Sequence, residues 1–193
     1  MQGRQILKIA TFIMIAFVLQ LTIGNAIVVK KLSEDELADQ AESIVIGTCT
    51  SIRSEWNEEG TKIFTYITVS PEIPLKGDPI PQEITIKQPG GEVGEIGMHV
   101  DGVSAYEEGE EVILFLKKGR KGFHRTLGLS QGKFSIKTDP ISQRKVLIQK
   151  RVRLVRTHNG KLEKKNLEIK SDKKKFLDEF TSRIQNILQR KNK

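Results

Sequence analysis

Ile44-Val45-Ile46-Gly47-Thr48-Cys49-Thr50-Ser51-Ile52 changes character with a period of two. Ile44, Ile46, Thr48, Thr50 and Ile52 fall on one face of such a run, and Val45, Gly47 and Cys49 on the other. That is the side-chain geometry of a strand. A turn is expected at Asn57-Glu58-Glu59-Gly60, followed by a second β-branched and aromatic run, Ile63-Phe64-Thr65-Tyr66-Ile67-Thr68-Val69. The two runs predict a hairpin. Pro71, Pro74 and the Leu75-Lys76-Gly77 step are expected to end its second strand.

Further along, Ile84-Thr85-Ile86 alternates again, and Val112-Ile113-Leu114-Phe115-Leu116 is a continuous apolar run suited to burial on both faces. Phe123–Leu129 and Lys133–Lys137 predict two more strands around Ser130-Gln131-Gly132. Six short strands between residues 43 and 137, separated by turn signals, make the chain mainly β, as a small barrel or sandwich. Ahead of them, Ser33-Glu34-Asp35-Glu36 has the S-x-x-E form of a capping box, which predicts a short helix over 34–41. Behind them, Val146, Ile148, Val152 and Leu154 line one face of a long strand. Asn159-Gly160 is a two-residue hairpin signal, and Leu167 and Ile169 lie on the returning strand. Ser171 is expected to cap a final helix, whose stripe of Phe176, Leu177, Phe180, Ile184, Ile187 and Leu188 would pack on the domain.

The N-terminus has the three-part layout of an export signal. Arg4 and Lys8 precede an uncharged, mostly apolar run from Ile9 to Ile23, and Gly24-Asn25-Ala26 offers small residues for cleavage after Ala26. The run is shorter than the ~20 apolar residues of a membrane span. The expected location is therefore secreted or periplasmic. Three parts are expected: residues 1–26 as signal, 27–138 as β-barrel domain, and 139–193 as a basic hairpin plus C-terminal helix packed on the barrel. Cys49 is the sole cysteine, so no intrachain disulfide is possible and the fold must rest on packing.

The net charge of +8 is unevenly distributed. Residues 27–138 hold 13 Lys/Arg against 18 Asp/Glu, a net of −5, and residues 139–193 hold 17 against 6, a net of +11. A basic end on an acidic body suits a polyanion or an anionic membrane surface. Its candidate contacts are Lys164, Lys165, Lys173, Lys174 and Lys175.

Motifs for chemistry are sparse. The glycines of residues 90–97 fit neither phosphate-loop spacing, and Glu92 and Glu95 would repel a phosphate. His99, His124 and His158 are scattered without metal-ligand spacing. Glu107-Glu108 and Glu110-Glu111 lack the spacing of a calcium loop and are expected to form a solvated turn. No nucleophile elbow is present. No enzyme, metal or cofactor is expected. The basic tail lacks exposed aromatics for stacking, which argues against nucleic acid.

Four features together resemble a netrin-like domain, an OB-type barrel related to the tissue inhibitors of metalloproteinases. They are the Ile44–Ile52 strand; Tyr66-Ile67-Thr68-Val69 closing on Leu75-Lys76-Gly77; Ile84-Thr85-Ile86 before Gly90-Gly91; and Gly109-Glu110-Glu111-Val112-Ile113-Leu114-Phe115-Leu116. The same order, ending near Gln131-Gly132-Lys133-Phe134, resembles a group of uncharacterised exported bacterial proteins. The resemblance implies a small OB-like antiparallel barrel. It does not carry over inhibition, because such inhibitors chelate zinc through an N-terminal cysteine, whereas cleavage here would leave Ile27 at the terminus. The family's disulfides are missing as well.

The function expected on these grounds is an exported, non-enzymatic binding or interaction module with a protein partner in the envelope or outside the cell. Polyanion or anionic-surface binding through the basic end is the first alternative. An unrecognised hydrolase around Glu92, Glu95 and His99 is the second.

Overall fold

The computed structural model describes residues 30–77, 81–156, 162–169 and 174–191. Residues 1–26, expected to be an export signal, lie outside these residues, as do Asn159-Gly160, Ser171 and Lys173. No described helix is long and apolar enough to cross a membrane.

Helix α1 (Glu34–Gln40) starts at the capping box. The Glu36 amide donates to Ser33 Oγ at 3.1 Å, and the Ser33 amide donates back to the Glu36 carboxylate at 2.8 Å. These bonds satisfy two amides that the first turn leaves without helical partners. Leu37 and Ala38 are its buried face.

Strands β1 (Ser43–Trp56) and β2 (Ile63–Lys76) form a long antiparallel hairpin from Ile44↔Lys76 to Trp56↔Ile63. The expected stop at the prolines is corrected here, since β2 runs through both Pro71 and Pro74. The reason lies in its neighbours. Strand β3 (Ile84–Pro89) pairs with β2 only over Phe64–Val69, so the rest of β2 is an edge that tolerates a missing N–H. Register shifts after Ile44, Ile46 and Cys49 bend the hairpin. Gly47 faces Pro71 so closely that a Cβ would lie 2.3 Å from the Ser70 carbonyl oxygen.

Gly91–Val93 (β4) and Ile96–Met98 (β5) pair as a small hairpin in the glycine-rich stretch. Strand β6 (Glu111–Lys118) then pairs along β1, from Ser43↔Leu116 to Thr48↔Glu111. Strand β7 (His124–Thr126) joins β6 to β3, meeting β3 in parallel at Ile86↔His124. The result is a closed five-stranded barrel in the order β1-β2-β3-β7-β6, antiparallel except at that one step.

The far edge of β6 is shared. Its C-terminal end pairs with β7, and Val112–Leu114 pair with β8 (Lys133–Thr138). From there the sheet leaves the barrel through β9 (Lys145–Arg156) and β10 (Leu162–Ile169). The predicted strand over Phe123–Leu129 is shorter than expected. It ends at Thr126, because Leu129–Gly132 tighten into a 3-10 turn.

Two apolar cores follow from the two faces of β1 and β6. Inside the barrel lie Val45, Cys49, Ile67, Val69, Ile84, Ile86, Val112, Leu114 and Leu116. On the outer side, Ile44, Ile46, Ile113 and Phe115 join Phe134, Ile136 and Leu147 beneath α1 and α2 (Leu177–Lys191). The expected helix start near Ser171 is corrected. Lys175–Phe176 instead pair with β9 as β11, and Phe176 lies 3.6 Å beneath the Arg144 guanidinium. The remainder of the stripe packs as expected, with Phe180, Ile184 and Ile187 buried. Among the described side chains of β9, the adjacent Val146 and Leu147 are buried, and Leu147 belongs to the helical core.

Candidate functional site

Alternation along β2 sends Ile67 and Val69 into the barrel and turns Phe64 and Tyr66 outward. Lys87 stands opposite Tyr66 in the β2–β3 ladder. Its ammonium lies over three rings at once, 4.2 Å from the centroid of Phe64, 5.2 Å from Tyr66 and 5.5 Å from Phe123. The Tyr66 and Phe123 rings are 5.3 Å apart and tilted, and the Arg53 guanidinium lies 5.2 Å from the Tyr66 centroid. The ring quadrupoles hold the Lys87 ammonium in place without neutralising it, whereas Arg53 is also paired with Glu55 at 2.6 Å.

This platform is the floor of a groove of about 1050 Å3. One wall is the β1–β2 turn, which Asn57 braces by accepting the Thr61 and Lys62 amides at 2.8 Å each. The other wall is the turn at Arg120–Gly122, where Lys121 takes a left-handed φ of 56°. Lys121 reaches Glu58 at 2.7 Å, which joins the two walls across the mouth. That pair raises the Lys121 pKa and lowers that of Glu58, chiefly through their shared hydrogen bond. Trp56 stands at the rim, 38 % exposed.

The groove is electropositive on a body whose net charge is negative. Among the described residues, Lys62, Lys87, Lys118, Arg120 and Arg125 line it without a carboxylate partner; of its three carboxylates, Glu58 is bound to Lys121, Glu55 to Arg53 and Glu59 to the Asn57 side-chain amide, so the lining keeps an excess of positive charge. His124 lies at one end, where burial and the nearby Lys118 hold its pKa below the usual histidine value. Its Nδ1 has no hydrogen-bond partner. Exposed cations beside aromatic rings suit holding an anionic, partly flat ligand.

Comparison with family models, curated proteins and solved structures finds no match. The geometry alone therefore carries the functional reading.

The candidates taken from the basic tail have a different setting. Lys174 binds Asp139 at 2.7 Å, and Lys175 binds Glu34 at 2.6 Å, where Arg183 also reaches Glu34 at 3.0 Å. These cations staple the C-terminal segment to the body. Lys165 is exposed on β10, and Lys164 belongs to the same strand. In the glycine-rich stretch, Glu92 lies on β4 and Glu95 in the turn that follows. His99 Nε2 lies 2.8 Å from Asp101 Oδ1. Among the described residues, no three His, Cys, Asp or Glu side chains converge as a metal site.

The solvated acidic turn expected at residues 107–111 is present at Glu107–Gly109, which are exposed around a turn at residues 108–109, and is corrected at Glu110, which is buried. Glu107 pairs with Lys150 at 2.8 Å and Glu111 with Lys145 at 2.8 Å. Glu110 turns inward to Lys133, which shares the inward row of Leu114 through their cross-strand pairing. A buried lysine arriving from a strand 23 positions away is invisible in the run E-E-G-E-E.

The aromatic–cationic groove was also missed in the sequence. The aromatics lie far from the basic tail, on β1, β2 and the β6–β7 connection. The signal was present in the outward alternates Phe64 and Tyr66, but their neighbours Lys87 and Phe123 come from distant segments.

Proposed function

We propose that this chain is an exported, non-enzymatic binding module of netrin-like, OB-type architecture that engages its ligand in the aromatic–cationic groove. One observation carries the reading: a single ammonium, Lys87, is held over three ring faces on the floor of an open groove whose other cations lack carboxylate partners. An ion pair would have satisfied that charge locally. The π-faces keep Lys87 in position and leave its charge for a ligand. Order of strands and the parallel β3–β7 step support the OB-type reading, in which the outer β2–β3 face and its flanking loops serve as a binding surface. The export signal supports a secreted or periplasmic setting, with Ile27 as the new N-terminus after cleavage. Binding through the basic tail has less support, since Lys174 and Lys175 each hold a carboxylate of the chain itself.

The test is a two-dimensional NMR titration of the labelled mature chain with a panel of neutral and anionic polymers. Shifts should concentrate on Lys87, Phe123 and Arg125. Shifts confined to β9 and β10 would reject the groove. Mass spectrometry of exported protein checks the setting, with Ile27 expected as its first residue.

A further inference from the structure

We propose that the ligand of the groove is a linear acidic polysaccharide, bound through carboxylates spaced along a sugar chain. This rests on the reading of the groove as the binding face and specifies its ligand class. Three observations select the class.

The first is sign. Lys62, Lys87, Lys118, Arg120 and Arg125 line the groove without carboxylate partners among the described residues, on a body with a net charge of −5. The ligand is an anion. The second is shape. The groove lies between the β1–β2 turn and the turn at Arg120–Gly122, and its volume of about 1050 Å3 is at the upper end of the ~300–1,000 Å3 of small-molecule pockets. A segment of a chain fits where a single small anion would leave most cations unused.

The third is the state of the rings, which separates a sugar chain from a nucleic acid. A single strand of nucleic acid stacks successive bases on successive aromatic faces. Here Phe64, Tyr66 and Phe123 all face the Lys87 ammonium, so stacking there would displace the cation. Only Trp56 at the rim has neither a ring nor a cation over it among the described residues. One flat face suits the C–H face of one pyranose, with the surrounding cations taking the carboxylates.

Trp56 is the only tryptophan in the chain, so intrinsic fluorescence reads the groove directly. The full mature chain is titrated with polygalacturonate, with a neutral galactan and with oligo-dT. Polygalacturonate is expected to shift the emission and saturate, the galactan to do nothing, and oligo-dT to bind more weakly. Affinity should fall steeply with added salt. The exposed changes Arg120→Glu and Arg125→Glu together should weaken binding by about tenfold or more, with circular dichroism unchanged. Lys164→Glu with Lys165→Glu should leave it intact.

If polygalacturonate does not bind, or oligo-dT binds as tightly, the ligand class is overturned. The groove itself then stands only if oligo-dT binding is lost in the Arg120→Glu, Arg125→Glu variant. If polygalacturonate binding survives that variant and disappears with the β10 changes, the groove reading is overturned along with the class.

Discussion

The Lys133 ammonium lies 2.6 Å from the Glu110 carboxylate, with the lysine side chain fully buried and the glutamate 5 % exposed. Lys133 also donates to the Ala105 carbonyl and Ser135 Oγ, both at 2.8 Å, and stands 5.1 Å from the Tyr106 ring centroid. It thereby ties the start of β8 to the segment before β6. Burial holds the lysine pKa below its ordinary value even with Glu110 pulling it upward. One carboxylate oxygen of Glu110, Oε1, has no partner.

Removing one charge of this pair should cost far more than removing both. Lys133→Met leaves an uncompensated carboxylate in the interior and should destabilise by about 3–5 kcal/mol. Adding Glu110→Leu to it should restore much of the loss. Urea unfolding of the single and double variants measures both. A single variant as stable as the parent would falsify the pairing as a structural tie.

Cys49 should be inert in the native protein. Its thiol is fully buried, and burial together with the Glu110 charge pushes its pKa up to about 11. The thiolate is the reactive form, so a disulfide reagent at pH 8 should label none of it until urea unfolds the chain. Rapid native labelling would mean that the barrel interior opens readily.

Asp139 sets an acid limit on the tail. Hydrogen bonds from Lys174 and Ser142 hold its pKa at about 2. The unfolded chain titrates near ~3.9, so the stabilisation is complete above that pH and is lost as pH falls towards 2. Asp139→Asn should flatten the stability profile between about pH 4 and pH 2. Thermal melts across that range compare the two proteins, and identical slopes would contradict the assignment.

Helix α2 should matter through Phe180, whose ring meets Phe134 at 5.0 Å and Phe115 at 6.2 Å between centroids. Phe180→Ala should cost about 3–5 kcal/mol. Ile141→Ala, at a position 87 % exposed, should change stability by under about 0.5 kcal/mol. Comparable losses in both would show that the helix contributes little to the core.

Local pattern was enough for much of this protein, and its limits are physical. Period-two alternation over Ile44–Ile52 and Ile63–Val69, the apolar run Val112–Leu116 and the Ser33–Glu36 capping box each depend on residues close in the chain, so the strands, the hairpin, the first helix and the mainly β barrel were legible. Pro71 misled because a proline ends a strand only where its N–H is needed, and whether β2 is an edge there depends on where β3 stops. The depth of Glu110 depends on Lys133, and the groove depends on Lys87 and Phe123 meeting Phe64 and Tyr66. Those are contacts between distant segments, so only barrel closure decides them. Lys174 and Lys175 show the same limit from the other side: the sequence counts them as free positive charge, while the fold places Asp139 and Glu34 beside them. Charge and periodicity belong to the chain; which charges remain available to a ligand is settled when the strands meet.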